Sequence, residues 1–492
     1  MKKQVKLIVG LALSIIALCF SILLITDTIP TSPKRPKYVF YFIGDGMSFN
    51  HILGTEQFFA VKEGMNEVER LNFSKFATRN FVTNYSMSHP VTDSAAAGTA
   101  LATGCKTANA GIGVDIHDNE LRSILDVASE QGYMIGLVTN VGINHATPSC
   151  FYGHTSDRFG FPKLVNDYIS SDVAFIAGST IMDMKSGPED PKYEKVTTAQ
   201  LAERIRNAGI HLTLDIDEAA NTVGKRVALV ANDKENKHVP YVLDRREGDD
   251  YHTLVNHSKA ALDYLQREAK DGFFLMVEGG KLDYAAHEQD AVATFYEVRE
   301  FAQAVQLALN FAKQHPDETL IVVTADHETG GMSLGTGAYE LRLHLLQHQK
   351  MSAWKYTKHI SQLHTTLGDA FTWDVVKKDL TENFGFWEHI AISERQEARL
   401  KKAYEALAAG KAEGNKSLYS QEDAIATTAK EIINRAALVG WTSGGHSNGY
   451  VPAFAIGVGA EQFSGRIDNT DVAKRTRKAF TLTQEERNAR VK

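Results

Sequence analysis

Short, uninterrupted apolar runs recur along the sequence, and helical patterns separate one run from the next. The runs cover residues 38–43, 134–139, 273–277, 320–324 and 451–458. Wholly apolar runs of this length are typical of strands covered on both faces, as in a parallel sheet. The helical patterns between them include residues 121–131, 258–269 and 291–313. This alternation predicts the α/β fold class, with an open, mostly parallel central sheet and helices on both of its faces.

One long segment departs from the alternation. Residues 337–437 are rich in Lys, Glu, Gln, His and Leu, and this composition predicts a helical insertion. A cap, an oligomer surface and a substrate-gating lid are its alternative roles. The other boundaries that we predict are a proline-rich linker at 31–37, one large domain at 38–470 that contains the insertion, and a charged C-terminal tail at 471–492.

The N-terminus has the pattern of an export signal. Lys2, Lys3 and Lys6 precede an uncharged apolar stretch at 7–25, which is the order found in signal peptides. The stretch is nearly long enough to cross a bilayer, and no clear small-x-small cleavage site follows it. We therefore predict that residues 1–30 are a signal peptide or an N-terminal membrane anchor. The predicted location is periplasmic or extracellular, either free or tethered to the membrane.

The charge balance excludes one class of partner. The formal net charge is −7, so no broadly basic face exists to neutralise a nucleic-acid backbone. A small phosphate-bearing substrate fits this balance, because one arginine and a few metal ions supply enough local positive charge.

Two cysteines lie within the large predicted domain. In an exported domain, a single disulfide between Cys105 and Cys150 is one alternative. Their small, apolar sequence surroundings favour the other, which is two buried free thiols.

Metal-binding side chains directly follow three of the predicted strands. Asp326 and His327 come after one apolar run, and a carboxylate beside an imidazole is a ligand pair that zinc prefers. Asp45 follows the first strand between two glycines, and Glu278 follows another strand. Each residue alone would pass for an ordinary turn or surface residue. Together they lie at the same end of one predicted sheet, which favours a metal site.

Further polar side chains add to this set. Asp283 and His287 are four residues apart, which places both on one face of a helix, and His446 follows two glycines late in the chain. Asp93 and Ser94 open a run of small residues that predicts a helix start. Ser94 is then either an N-cap or a metal-bound alkoxide, at a position where free N–H groups and the helix dipole favour an anion.

The combined set resembles the alkaline phosphatase family. The similarity extends over residues 38–160, 272–333 and 441–457, and it rests on the ligand types, their order and their local spacing. At 324–331 and 442–446 the sequence is also similar to bacterial members. A large insertion precedes the last expected zinc ligand.

The resemblance implies two zinc ions and one magnesium ion, with ligands assigned by motif position. The expected ligands of the first zinc are Asp283, His287 and His446. Those of the second zinc are Asp45, Asp326, His327 and the Ser94 oxygen. Those of magnesium are Asp45, Thr147 and Glu278.

The same resemblance gives two residues direct roles in the reaction. Ser94 would attack phosphorus and form a phosphoserine intermediate, and Arg158 would bind the non-bridging phosphate oxygens in a two-pronged pair. Asp93, His145 and Tyr284 are expected beside the ligands. His145 stands where the best-known bacterial form has an aspartate, and Tyr284 replaces a lysine. These two departures are expected to leave the reaction class intact while weakening magnesium binding, shifting the pH optimum and changing phosphate release.

The implied function is hydrolysis of small phosphate monoesters. A phosphodiesterase or a sulfatase of the same superfamily is the first alternative, and a non-catalytic exported binding protein is the second. The presence of Thr147, Glu278 and Arg158 favours the monoesterase. The family is often dimeric, so a homodimer is one possible assembly.

Overall fold

The computed structural model describes residues 35–65, 67–183, 193–231, 239–246, 252–337, 339–411, 414–416 and 421–481. The predicted signal peptide or anchor and the tail residues 482–492 lie outside the described residues. Within the described ranges, no helix combines the length and the apolar character needed to cross a membrane.

A ten-stranded sheet forms the centre of the molecule. The strands of the described residues are β1 Tyr38–Gly44, β2 Thr78–Thr83, β3 Met134–Thr139, β4 Val173–Gly178, β5 His211–Thr213, β6 Val227–Val230, β7 Phe273–Gly279, β8 Thr319–Thr324, β9 Glu328–Thr329, β10 Ser333–Leu334, β11 Asn415–Lys416, β12 Gln421–Glu422, β13 Val439–Gly440, β14 His446–Ser447, β15 Val451–Gly457 and β16 Ile467–Asp468. The order across the sheet is β16-β2-β15-β8-β1-β7-β3-β4-β6-β5. In this sheet β15 runs antiparallel to β2 and β8, and the other neighbouring pairs are parallel.

Helices surround the sheet. Those of the described residues are α1 Phe49–Lys62, α2 Ser94–Thr103, α3 Ile124–Glu130, α4 Ala146–Ser149, α5 Phe161–Ser170, α6 Thr198–Asn207, α7 Ile216–Asn221, α8 Leu254–Glu268, α9 Lys281–His287, α10 Ala291–Gln314, α11 Ala353–Leu367, α12 Trp373–Phe384, α13 Glu394–Ala408, α14 Ala424–Ala436 and α15 Asn469–Phe480. The predicted α/β class with a mostly parallel sheet is confirmed.

The central strand β1 is buried on both faces. Phe40 packs on α10 through Phe311, with ring centroids 5.4 Å apart. The next residue, Tyr41, points to the opposite face and donates a hydrogen bond to the Leu101 carbonyl of α2 at 3.1 Å. Successive side chains of a strand alternate between faces. A strand with helices on both sides is therefore apolar throughout, which is the pattern that the sequence has here.

The five predicted strands are present, and α3, α8 and α10 overlap the three predicted helices. The sheet is wider than the predicted strands alone would make it. Strands β2 and β16 extend one edge, and β4, β6 and β5 extend the other.

The described residues of the insertion form four α-helices, α11 to α14. They enclose a hydrophobic cluster of their own, in which Tyr356, Leu380, Leu400 and Ile433 are fully buried, one from each helix. Phe295 of α10 belongs to the same cluster. The predicted helical insertion is therefore confirmed, and it packs directly on the helix that follows α9.

Helix α15 continues the packed structure beyond residue 470, where the sequence analysis placed the start of the tail. Val472, Ala473 and Phe480 are buried, and Asp468 caps the start of the helix. The charged residues of α15 thus cover an apolar stripe that packs against the rest of the domain.

Cys105 and Cys150 do not form a disulfide, so the prediction of free thiols is correct. Cys150 is buried, and burial raises the pKa of its thiol. The prediction that Cys105 is also buried is wrong. It follows Gly104, which ends α2 in the left-handed region, and it lies exposed beyond the end of the helix.

Candidate metal centre

The carboxyl ends of three central strands bring three acidic side chains together. Ile43 of β1 is in register with Glu278 of β7 and with Thr324 of β8. Asp45 and Asp326 follow two residues later in their segments and emerge beside Glu278. The three carboxylates are fully buried. This is the edge at which sites form in open α/β sheets.

Gly46 makes the turn after β1, with a φ of 72°. Glycine adopts this left-handed conformation without steric cost. A Cβ at this position would stand 2.7 Å from Thr329 Oγ1 and 2.9 Å from Asp283 Oδ1. Glycine is therefore needed both for the turn and for the close approach of the neighbouring segments.

The first group consists of Asp283, His287 and His446. Nε2 of His287 lies 3.3 Å from Asp283 Oδ2, and Nε2 of His446 lies 3.7 Å from Asp283 Oδ1. The Nδ1 atoms of the two histidines are 2.7 Å from the Gly444 carbonyl and 2.8 Å from the Thr92 carbonyl. Since a carbonyl only accepts, each Nδ1 carries a proton, and in the neutral form of each imidazole the Nε2 lone pair faces the group.

The two lone pairs of the first group face each other. His287 Nε2 and His446 Nε2 are 3.1 Å apart. Two acceptor nitrogens at this distance repel each other unless a proton or a cation lies between them. The geometry therefore fits a metal ion that takes both imidazoles and the Asp283 carboxylate.

The second group consists of Asp45, Asp326 and His327. Its ligand atoms lie within 4.8 Å of one another. Nε2 of His327 is 3.3 Å from Asp45 Oδ1 and 3.1 Å from Asp326 Oδ2. Oδ1 of Asp326 accepts from the Gly46 amide at 3.0 Å and from the His327 amide at 2.9 Å. Both oxygens of Asp45 and Oδ2 of Asp326 have no hydrogen-bond partner among the described residues, which is the state of oxygens that bind a cation.

The third group consists of Asp45, His145 and Glu278, with Thr147 close by in the sequence. One ligand atom from each of the first three residues lies within 4.8 Å of the others. Thr139 Oγ1 donates to Glu278 Oε2 at 2.6 Å. Glu278 Oε1 and Thr147 Oγ1 are buried, and the Thr147 hydroxyl contacts the Glu278 carboxylate. Asp45 belongs to both the second and the third group, so it stands between them.

Tyr284 lies beside the third group. Its ring centroid is 6.0 Å from that of His145, and both side chains are buried. Both side chains at which the resemblance predicts a departure are thus neighbours in the structure.

Ser94 is the first residue of α2, and Asp93 is its N-cap. Oδ1 of Asp93 accepts from the Ala96 amide at 3.0 Å. The alternative that Ser94 is the N-cap is therefore wrong, since the neighbouring aspartate fills that role. The Ser94 hydroxyl lies 3.1 Å from His327 Nε2. It faces the second group from a helix start, where anions are favoured.

Arg158 contacts the same cap. Its Nη1 donates to Asp93 Oδ2 at 3.0 Å, and both side chains are largely buried. Asp93 thus caps the start of α2 through Oδ1 and binds Arg158 through Oδ2.

The buried charges shift one another's pKa values. Burial, together with the charges of Asp326 and Asp283, raises the pKa of Asp45 well above its usual range. Burial raises the pKa of Glu278 to about 7. Burial acts in the same direction on Asp283, but the charges of His287 and the other imidazoles outweigh it and lower its pKa. So many buried carboxylates are costly without counter-charge, and cations would supply it.

Thr329 is a contact that the sequence analysis missed. Its hydroxyl donates to Asp283 Oδ1 at 2.5 Å and lies 3.2 Å from His327 Nδ1. It therefore joins the first group to the second. Its position two residues after His327, in an otherwise assigned motif, is the signal in the sequence that could have identified it.

Comparison with known proteins supports one family. A sequence model described as alkaline phosphatase matches residues 36–482. Alkaline phosphatase 4 of Bacillus subtilis is 32% identical over 89% of this chain and 87% of its own length. Alkaline phosphatase 3 of the same organism is 30% identical over 90% of this chain and 89% of its own.

Solved structures have the same fold. A cold-active alkaline phosphatase from Shewanella sp. is 27% identical, with a TM-score of 0.75, and the match covers 90% of this chain and 100% of that one. The alkaline phosphatase of Thermus thermophilus is 24% identical, with a TM-score of 0.72, over 93% and 95% of the two chains.

Proposed function

Because the chain belongs to the alkaline phosphatase family, we propose that it is a metal-dependent phosphomonoesterase that acts through a phosphoserine at Ser94. The observation that carries the proposal is the position of the Ser94 hydroxyl. It lies at a helix start, 3.1 Å from His327 Nε2, and the same nitrogen lies 3.3 Å from Asp45 Oδ1 and 3.1 Å from Asp326 Oδ2.

The three groups fit the metal ions of the family. The proposed ligands of the first zinc are Asp283, His287 and His446. Those of the second are Asp45, Asp326 and His327, with Ser94. Those of magnesium are Asp45 and Glu278, with Thr147. When bound, such ions supply positive charge that favours the ionised forms of a serine hydroxyl and of a departing alcohol. His145 and Tyr284 lie beside the magnesium ligands and shape that part of the site.

The side chains of the protein position the reacting groups. Ser94 Oγ attacks phosphorus in line with the departing alcohol oxygen, the phosphorus–oxygen ester bond breaks, and a phosphoserine forms. Water then cleaves the phosphoserine and regenerates the hydroxyl. Arg158, which donates to Asp93, binds the non-bridging phosphate oxygens through its guanidinium. Export, attachment through residues 1–30 and a homodimer stay predictions from the sequence.

The test is hydrolysis of a chromogenic phosphate monoester at alkaline pH, beside the matching diester and sulfate ester, with and without zinc and magnesium. We expect preferential monoester turnover that a chelator abolishes. Preferred diester or sulfate turnover would assign the chain to another activity of the superfamily. No turnover from folded, zinc-loaded protein would favour a binding protein.

Ser94→Ala tests the nucleophile. The variant should retain zinc and lose most of its activity, because the carboxylate and imidazole ligands stay in place while the attacking oxygen is gone. Ser258→Ala is the matched control, since its hydroxyl is also buried but has no hydrogen-bond partner among the described residues. Near wild-type turnover by Ser94→Ala would exclude the covalent mechanism.

A further inference from the structure

The loop that follows α9 has an unusual backbone conformation. Gln289, two residues after His287, has a φ of 57°. Residues other than glycine seldom adopt the left-handed region, and they persist there when their surroundings hold them. The Gln289 amide donates to the Ala286 carbonyl at 3.0 Å, which closes the C-terminal turn of α9. The loop is therefore a fixed end of the helix that carries Asp283 and His287.

The helical insertion holds the backbone of this loop. Asn434 of α14 donates through Nδ2 to the Gln289 carbonyl at 2.7 Å. One turn earlier on the same helix, Lys430 donates to the Glu288 carbonyl and pairs with both oxygens of Glu422 at 2.6 Å. Lys430 and Glu422 are almost completely buried. A buried pair of this kind is costly to break. The pair therefore fixes the position of the Lys430 ammonium, which in turn bonds the Glu288 carbonyl of the loop.

A third contact fixes the next residue. Asp290 is the N-cap of α10 and accepts from the Ala293 amide at 3.0 Å. Its two oxygens also accept from Gln349 Nε2 at 2.9 and 3.0 Å, and Oδ2 accepts from the Ala353 amide at 2.9 Å. Residues 288, 289 and 290 are thus each bonded to the insertion.

The side chain of Gln289 then reaches the last segment of the first group. Its Nε2 donates to the Ser443 carbonyl at 2.8 Å. The next carbonyl, that of Gly444, lies 2.7 Å from His287 Nδ1, and His446 follows two residues later. One amide side chain therefore joins the helix of Asp283 and His287 to the loop of His446.

We propose that Gln289 is a positioning residue for the first group and that the helical insertion supports this group through Asn434 and Lys430. The inference rests on the proposed metal function of Asp283, His287 and His446. In this proposal the insertion supports the ligands of the first group, which is a different role from a substrate-gating lid. Gln289, Asn434 and Lys430 donate to backbone carbonyls in the segments that carry the ligands. These bonds set the spacing between His287 and His446.

Two variants test the proposal. Gln289→Glu keeps the side-chain shape but places an acceptor oxygen against the Ser443 carbonyl, and Asn434→Leu removes the donor from the insertion at similar volume. We expect each to weaken binding of one zinc ion by about tenfold to a hundredfold, which is the usual effect of changing a residue behind a metal ligand. Zinc affinity is measured by competition with a chromogenic chelator, and activity is followed as free zinc is raised.

Two controls separate positioning from general damage. Gln306→Glu makes the same change on the outer face of α10, where the side chain bonds Asn310. Glu431→Gln removes a surface pair with Arg399 on the same helix as Asn434. Both should bind zinc like the wild type. Raised zinc should restore the activity of Gln289→Glu and Asn434→Leu, because their defect lies in ion occupancy.

The outcomes are distinct. Wild-type zinc affinity in folded Asn434→Leu would overturn the role of the insertion, even if Gln289→Glu did not fold. An activity loss in both variants that added zinc does not reverse would overturn the positioning role. A raised KM at unchanged zinc affinity would favour a lid. Loss of zinc from the variants, with no monoesterase activity in the wild type, would support this inference and reject the proposed function.

Discussion

At the residue scale, one hydroxyl connects the two candidate zinc groups. Thr329 Oγ1 has a single proton, and the 2.5 Å contact to Asp283 Oδ1 uses it. The hydroxyl must then accept from His327 Nδ1, 3.2 Å away. In the neutral imidazole, this contact favours the tautomer whose Nε2 lone pair faces Asp45 and Asp326.

Thr329→Val keeps the shape of the side chain and removes this hydroxyl. We expect kcat/KM to fall by about tenfold to a hundredfold and zinc binding to weaken, because both groups lose an orienting contact. Thr329→Ser retains the hydroxyl and should stay near the wild type. Steady-state kinetics and zinc competition measure the effect, and equal values for the valine and serine variants would contradict the role.

The sequence identified the side chains that reach the site directly, because they follow strand ends whose apolar runs are visible. Asp45 and Asp326 are examples. It did not identify Gln289 or Asn434, because both act by donating to main-chain carbonyls. Every residue offers such a carbonyl, so no residue pattern marks which one is used.

At the scale of elements, a single acidic side chain joins α15 to the sheet. Oδ1 of Asp468 accepts from the Thr470 amide at 3.1 Å, and Oδ2 accepts from Thr83 Oγ1 at 2.8 Å. Lys106 Nζ lies 3.1 Å from Oδ2. Burial acts to raise the pKa of Asp468, but these contacts outweigh it and lower the pKa.

Asp468→Ala should lower the free energy of unfolding by about 1 kcal/mol at pH 7, the usual effect of losing an N-cap. A carboxylate with a depressed pKa stabilises the fold while it is ionised. The loss of unfolding free energy caused by Asp468→Ala should therefore reach its full size above about pH 4. It should shrink as the pH falls below that value. Denaturant unfolding of the variant and the wild type at pH values on both sides of about 4 measures this loss. Asp263→Ala, at an exposed pair with Lys259, is the control, and a difference that grew in acid would contradict the assignment.

The central strands were predicted well because both their faces are covered. Strands towards the two edges of the sheet carry weaker patterns. Every second residue of β2 is exposed or half-buried, and β6 has only four residues. Short or alternating segments of this kind are set by pairing with distant strands, here by β15 for β2, and local sequence does not specify that partner.

At the scale of the whole molecule, the candidate metal centre places several carboxylates in one buried volume. Asp45, Glu278, Asp283 and Asp326 are all fully buried. Removing the metal ions should therefore lower the thermal midpoint of unfolding, since ions at a thousand times their Kd stabilise a fold by about 4 kcal/mol. Calorimetry with and without a chelator measures the shift. Asp326→Ala should lose the second zinc and show a smaller shift, and an unchanged midpoint after chelation of the wild type would contradict the proposal.

The strand order also dictates when the molecule can assemble. Tyr38 of β1 pairs with Phe273 on one side and with Thr319 on the other. During synthesis, the central strand gains its first neighbour only after more than half of the chain has left the ribosome, and its second later still. Contacts so distant in sequence make folding slow. The first group is complete only once His446 has emerged, so an ion bound by Asp283, His287 and His446 would not guide the earliest folding steps.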